Sequence, residues 1–412
     1  MDRIKNYTVF SDKVMSETTD IIKDVWKRGD EAVIECTGKF DKIELTADKF
    51  EVKQQEIEKS AVSLDPELEK VIKRAAENIE NYHRQQKQRI PEEYEIKNKG
   101  IVIKDKLVPV ERVGLYVPGG NYPYPSTVLM CAIPAKIAGV GEIIMVTPAK
   151  NITPAVLAAA RIAGVDRIFR IGGAHAVAAL AYGTKTVPKV DKIAGPGNNY
   201  VQCAKWLVSS VVGIDMISGP SEVVIIADEN QDPERVAVDL LSQYEHANDA
   251  SAILLTDTKE LIDGVKKKVE EYLSGYKPDF NGRIEYKCLD NLDMAAEASN
   301  RIAPEHLQLM LDENNMPEVY NRITNAGAVF LGSETPVALG DYWAGPSHAL
   351  PTGQCAKFQE GLNVRSFLKK VSFIKSSRYT IKEEYPDIKK FAEAEGMAYH
   401  AMSLKRRIED EE

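Results

Sequence analysis

Four of the chain's six histidines, His246, His306, His348 and His400, fall in its C-terminal part, each close to a carboxylate or a side-chain amide. Imidazole is the commonest metal ligand, and its proton affinity suits acid–base work near neutral pH. The segments read SQYEH (Ser242 to His246), APEHLQL (Ala303 to Leu309), GDYWAGPSH (Gly340 to His348) and AEGMAYH (Ala394 to His400). Gln243 and His246 stand three residues apart on a predicted helix that Asp232 caps and Pro233 starts, so both project from one face. That face can present an amide oxygen and an imidazole to one metal ion; the alternative is a polar helix end where His246 meets free carbonyls. Asp341 and His400 are the candidates to complete a set of N and O ligands suited to zinc.

Glu305 and His306 sit side by side at the mouth of a predicted strand, after Pro304, which blocks a continuing helix. Adjacent strand residues point to opposite faces, but at a strand entrance both can border a cleft, one as base and one as water activator. The plainer reading is a solvated glutamate beside a half-buried histidine. Asp341 and His348 lie in a run rich in turn residues, which predicts a loop, the place where a rigid scaffold tends to hold catalytic side chains.

Three further motifs, GLYVPGG, RIGGAHA and AGPGNNYV, put glycine where a predicted strand ends. Backbone amides freed by such turns can approach a phosphate closely, and a helix N-terminus adds favourable partial charge. No GxGxxG is present, and glycine turns also serve simply to reverse the chain, so the spacing leaves nucleotide binding open.

Positioning these groups takes a large scaffold. With 412 residues, 44% of them apolar, the chain can bury substantial cores, and its length predicts about two to three domains. A net charge of −9 argues against a nucleic-acid partner, which would call for clustered positive charge. Five dispersed cysteines without a CxxC pair read as reduced thiols. The N-terminal sequence MDRIKNYTVF has no apolar h-region, and no run reaches the ~20 apolar residues of a membrane span. A cytoplasmic enzyme of small molecules, without a membrane, is the expectation.

The pattern is helical from Ser11 to about Lys39. A second helix follows Asp65 and Pro66, with Leu68, Val71, Ile72, Ala75, Ile79 and Tyr82 forming one stripe. After a polar stretch from Arg89 to Gly100, IVIKDKLVPVERVGLYVPGG switches to β-type patterning, which places a domain boundary near Val113. From there to Ser221, apolar strands alternate with alanine-rich helices, the signature of a parallel sheet covered on both faces. A second α/β unit follows through EVVIIAD, SAILLTD, HLQLMLD and GAVFLG. The last ~50 residues, charged and helical, are too few for an independent core and are expected to dock on something larger.

Taken in order, ERVGLYVPGG, IPAKIAGV, KVDKIAGPGN, GIDMISGPSEV, LLSQYEH, APEHLQL, SHALPTG and EGMAYH closely resemble the histidinol dehydrogenase family, from about residue 10 to residue 407. The resemblance implies an α/β fold of two incomplete Rossmann-like parallel-sheet domains with small N- and C-terminal helical segments, in an intertwined homodimer with shared active sites. Residues 1–112 with 223–362 would form the domain carrying metal and catalytic residues, 113–222 the NAD-binding domain, and 363–412 a tail that crosses to the partner. It also implies zinc held by Gln243, His246, Asp341 and His400, with Ser221 and Glu395 helping to bind the substrate. Glu305 and His306 match the catalytic pair, His348 a supporting group, and Tyr116 and Asn198 the contacts to NAD.

The implied activity is the zinc- and NAD-dependent four-electron oxidation of L-histidinol to L-histidine, the last step of histidine biosynthesis. Related enzymes oxidise other small polar alcohols, including sulfonated diols, and a zinc hydrolase would use a similar ligand set with a neighbouring Glu and His. The chain departs from the family pattern at His175, where GGAHA replaces GGAQA in the cofactor turn, at the aromatic-rich NYPYPST, and at QCAKF after SHALPTG. His175 can replace the glutamine's hydrogen bond to the cofactor, or serve as a polar residue capping a helix.

Overall fold

The apolar runs form parallel strands because each is covered on both faces. The computed structural model describes residues 10–119 and 123–409; Gly120, Asn121 and Tyr122, at the start of the aromatic-rich loop, lie outside the described residues. In chain order the strands are β1 (Glu93–Asn98), β2 (Ile101–Pro109), β3 (Arg112–Tyr116), β4 (Glu142–Val146), β5 (Arg167–Phe169), β6 (Lys192–Ala194) and β7 (Gly213–Ile214). They continue with β8 (Glu222–Ala227), β9 (Ser251–Thr256), β10 (Arg283–Cys288), β11 (His306–Met310), β12 (Ala328–Leu331) and β13 (Leu368–Lys375).

Two five-stranded sheets have the orders β5-β4-β3-β6-β7 and β10-β9-β8-β11-β12, and every pairing in them is parallel. Each order is third, second, first, fourth, fifth, so one doubly wound plan, Rossmann-like in its strand order, is used twice. By internal contacts the chain forms two compact units, residues 1–87 with 110–367, and residues 88–109 with 368–412. The first contains both parallel sheets. The second contains the antiparallel sheet β1-β2-β13 and the helices Arg378–Ala394 and Ala398–Glu409.

The second unit differs most from the sequence expectation. The polar stretch after Arg89 contains β1, and the charged tail begins with β13. All six side chains of β1 are exposed and β13 is nearly so. Neither strand buries a face, so neither shows the alternation by which strands are recognised. The N-terminal helical run also divides, into Asp12–Arg28 and Asp30–Asp41. Its apolar residues Ile22, Val25, Ala32 and Val33 join the core of the first sheet. The helix Pro66–Gln88 buries Ile72, Ala75 and Ile79 of its stripe but leaves Leu68, Val71 and Tyr82 at the surface.

The second sheet positions the predicted catalytic pair. Along β8, Val223, Ile225 and Ala227 face one core while Val224 and Ile226 face the other, the period-two alternation of a strand. Each of these valines and isoleucines contributes roughly 1.5–3 kcal/mol by leaving water. In β11, Leu307 and Leu309 take the second core and Met310 the first. His306 and Gln308 therefore face the same way as Met310, toward the helix Pro233–Tyr244, whose Val236 and Leu240 share that core. The Gln308 amide donates to Asp239 of that helix at 2.7 Å.

Just before β12, Gly327 donates its N–H to the Pro304 carbonyl at 2.9 Å, and Ala328 donates to the Glu305 carbonyl at 3.0 Å. A Cβ on Gly327 would stand 2.6 Å from that Glu305 oxygen. Gly327→Ala should therefore cost about 1–3 kcal/mol in urea unfolding and lower the turnover of the folded enzyme, because Glu305 must move. Unchanged stability and turnover would show that this approach does not fix Glu305.

Candidate active site

A cavity of about 400 Å³ lies between the loops that follow β3 and β6 and the segments that lead into β8, β9 and β11. Asn198, Ser221, His246, Glu305, His306, Asp341 and His348 all line it. Glu305 and His306 are 7% and 4% exposed, so the half-solvated alternative does not hold. The main chain of Glu222, where β8 begins, meets both: its N–H donates to Glu305 Oε2 at 3.0 Å, and its carbonyl lies 3.3 Å from His306 Nδ1.

His306 Nδ1 stands 3.6 Å from Glu305 Oε2, and Nε2 stands 3.6 Å from Asp341 Oδ1. Burial pushes the Glu305 carboxyl up to about 7, against the pull of His306. Burial alone would lower the His306 imidazole, but the carboxylates of Glu305 and Asp341 outweigh it and raise it to about 8. For Asp341 burial acts upward, and the hydrogen bond and charge of His306 overcome it, so its carboxyl sits below the usual value. The Glu305 carboxyl is thus drawn up to neutrality while the imidazole is held somewhat above it, which leaves both groups able to exchange protons near neutral pH.

Asp341 is not on a loop as expected. It belongs to the short helix Val337–Tyr342, which starts after Pro336. His348 does lie on a loop, between the Asp341 carbonyl, 3.0 Å from Nδ1, and the Thr127 hydroxyl, 3.1 Å from Nε2. Burial lowers its pKa, as it does for His246. The helix bearing Gln243 ends at Tyr244, and His246 follows in a turn where its N–H donates to the Gln243 carbonyl at 3.2 Å. Gln243 is buried, and its amide nitrogen has no hydrogen-bond partner.

The oxygen of that amide, the His246 imidazole and the Asp341 carboxylate are N and O donors of the kind zinc takes, with one anion among them. Among the described residues no three His, Cys, Asp or Glu side chains form a metal cluster by themselves, so a site here needs the amide and a further ligand. Glu395 and His400 belong to the second unit: Glu395 closes the helix Arg378–Ala394, His400 lies in Ala398–Glu409, and both are exposed.

The cofactor candidates divide. Asn198 lines the cavity, and its side-chain oxygen caps the helix Asn199–Val208 by accepting from Tyr200 and Val201 N–H, each at 3.1 Å. Tyr116 is buried, and its hydroxyl accepts the Gly173 N–H at 2.9 Å. His175 is also buried, with Nε2 3.3 Å from the Thr37 hydroxyl, its ring stacked on Phe40, and Nδ1 unpartnered. Sequence reasoning passed over Glu222 and Thr127, whose contributions rest on a main-chain peptide and a hydroxyl in apolar surroundings. The only trace of the first is the acid in GPSE at the start of a strand.

A family model described as histidinol dehydrogenase matches residues 5–408. Histidinol dehydrogenase of Geobacter sulfurreducens is 47% identical over 94% of this chain and 92% of its own length. That of Aquifex aeolicus is 44% identical over 98% of this chain and 95% of its own. The crystal structure of histidinol dehydrogenase from Elizabethkingia anophelis superposes with a TM-score of 0.88 at 36% identity, covering 97% of this chain and 93% of that one.

Burial holds the His175 pKa down to about 4, from 6.5 for a free histidine. The folded state then favours the neutral ring, so this contribution is complete above pH 6.5 and is lost as pH falls toward 4. Between pH 7.5 and pH 5 the loss should be about 2 kcal/mol. Urea unfolding at the two pH values should show His175→Gln losing less stability than the parent over that interval; equal losses would place the acid sensitivity elsewhere.

Proposed function

The chain belongs to the histidinol dehydrogenase family, and on that premise we propose that it oxidises L-histidinol to L-histidine, through histidinaldehyde, in two hydride transfers to NAD, as the last step of histidine biosynthesis. The observation that carries this reading is the buried Glu305–His306 pair with Asp341 and His246 on one wall of a cavity and the Asn198 turn on another. Family membership removes the hydrolase alternative.

In this reading zinc is held by Gln243, His246, Asp341 and, from a second copy of the chain, His400. When bound it supplies a Lewis acid that orients the amino alcohol. His306 accepts the hydroxyl proton as hydride leaves the adjacent carbon for the nicotinamide, and it does so in both oxidations. Glu305, with its carboxyl near neutrality, takes a proton from the water that adds to the aldehyde. The hydrate then loses the second hydride to give the carboxylate. Ser221 and Glu395 hold the substrate, and His348 supports the cleft. The dinucleotide would be held by the 113–222 segment, with Tyr116, His175 and Asn198 as its proposed contacts, two of which, Tyr116 and Asn198, also hold the main chain of the glycine turns.

The homodimer with shared sites is supported by an apolar groove of about 590 Å³ beside His246, bordered by Leu68, Val71, Tyr276, Tyr342 and Trp343. Leu68, Val71, Tyr276 and Tyr342 are exposed in the single chain, and such patches mark surfaces that another chain covers. Among the described residues no helix is long and apolar enough to cross a membrane, and a cytoplasmic location is the address we propose.

Zinc-loaded protein given L-histidinol and NAD should form two NADH per histidine. No turnover would move the substrate to another small polar alcohol, a sulfonated diol among them. Glu305→Gln should lower kcat by about 10²–10³-fold, and activity within a factor of two of the parent would remove Glu305 from the chemistry. Mixing His246→Ala and His400→Ala subunits should restore part of the activity, since one site of each mixed dimer regains both ligands; activity no higher than either parent variant would count against sharing.

A further inference from the structure

Two fully buried charges play no part in that scheme. Lys205, on the helix Asn199–Val208, and Asp215, just past β7, form an ion pair with side chains 0% and 2% exposed. Both grip the main chain of a single residue, one on each side of its Cα. Lys205 Nζ donates to the Gly195 carbonyl at 2.9 Å, and Asp215 Oδ2 accepts the Gly195 N–H at 2.7 Å. Asp215 is itself anchored, its N–H donating to the Ile193 carbonyl of β6 at 3.2 Å.

Gly195 opens the turn that leaves β6. Its φ is +116°, a conformation that glycine adopts readily, and a Cβ there would press into the Tyr116 carbonyl. Two residues on, a Cβ at Gly197 would lie 3.3 Å from the Tyr116 ring. Pro196, Gly197 and Asn198, the rest of this turn, line the cavity. The turn stands next to β3, at the point where the strand order of the first sheet reverses, which is where doubly wound sheets receive their ligands.

Burying a lysine and an aspartate is expensive, and a well-packed apolar pair of similar volume often stabilises a fold as well or better. Such a pair could not hold both the N–H and the C=O of one residue. We propose that Lys205 and Asp215 are positioning residues for the dinucleotide: they fix the two peptides that flank Gly195, so the turn carrying Asn198 is ordered before the cofactor arrives. Order imposed in advance lowers the cost of binding. The pair touches no reacting atom, so it acts on cofactor affinity and leaves the hydride steps alone. This rests on the assignment of NAD to the first sheet.

Two neutral double variants grade the effect. K205M/D215N keeps an acceptor for the Gly195 N–H and removes only the donor to its carbonyl; K205M/D215L removes both. Each is assayed as the zinc-loaded enzyme for melting temperature, KM for NAD, KM for L-histidinol and kcat, with NAD binding also followed by calorimetry without substrate. The expected result is a KM and Kd for NAD raised about threefold in K205M/D215N and about tenfold in K205M/D215L, with kcat and the KM for histidinol within twofold. If K205M/D215L does not fold, K205M/D215N alone decides. Unchanged NAD affinity in a folded variant, or a fall confined to melting temperature or kcat, would overturn the positioning role while leaving the cofactor assignment intact. A parent enzyme that binds no NAD would overturn both.

Discussion

A carboxyl and an imidazole taken out of water must find partners, and on one wall of the cavity the main chain of one residue serves both. Glu222 gives its N–H to Glu305 and faces His306 with its carbonyl. Because Glu222 begins β8, the strand that pairs with β9 on one side and β11 on the other, neither group can relocate without disturbing the centre of a sheet. The same register presents His306 to the helix that ends beside Gln243 and His246. Burial raises the carboxyl and the neighbouring carboxylates raise the imidazole, and the pairing of β8 with β11 makes that burial sustainable.

The two sheets share one winding but are used at opposite edges. The first offers the loops that follow β3 and β6, the carboxyl ends of its strands; the second offers the segments that precede β8, β9 and β11. At the carboxyl edge of the second sheet, the Asp228 carboxylate already accepts from the N–H groups of Asn230 and Asp312 and from the amides of Gln231 and Asn315. These are the kinds of donors an anion would seek. One edge is thus closed by the protein's own carboxylate, while on the first sheet the main chain of Gly195 is secured from behind and the turn beyond it stays open to the cavity.

Much of this was legible in the sequence because it depends on local pattern. Continuous apolar runs such as EVVIIA marked strands covered on both faces, and Asp232-Pro233 marked the start of the helix that ends beside the cavity. Glu305 and His306 were recognisable as a pair at a strand entrance. β1 and β13 were not, since their exposed side chains leave no period to read. The Asp341 helix was missed because it is only Val337–Tyr342 long and is embedded among turn residues. Lys205 and Asp215 gave no signal either, since their value lies in the main chain of a residue ten and twenty positions away.

On the proposed reading, the distribution of metal ligands has a thermodynamic consequence. Gln243, His246 and Asp341 belong to the unit with the parallel sheets, whereas His400 stands exposed on the unit formed by residues 88–109 and 368–412. A coordination set divided in this way makes ion binding and the docking of the tail parts of one equilibrium, since each supplies free energy that the other requires. The amide of Gln243 suits such a set because it contributes an oxygen without charge, leaving Asp341 as the only anion and the ion still an electrophile. Closure of the site would then depend on assembly, and the cavity would be sealed from water only when the second copy is in place.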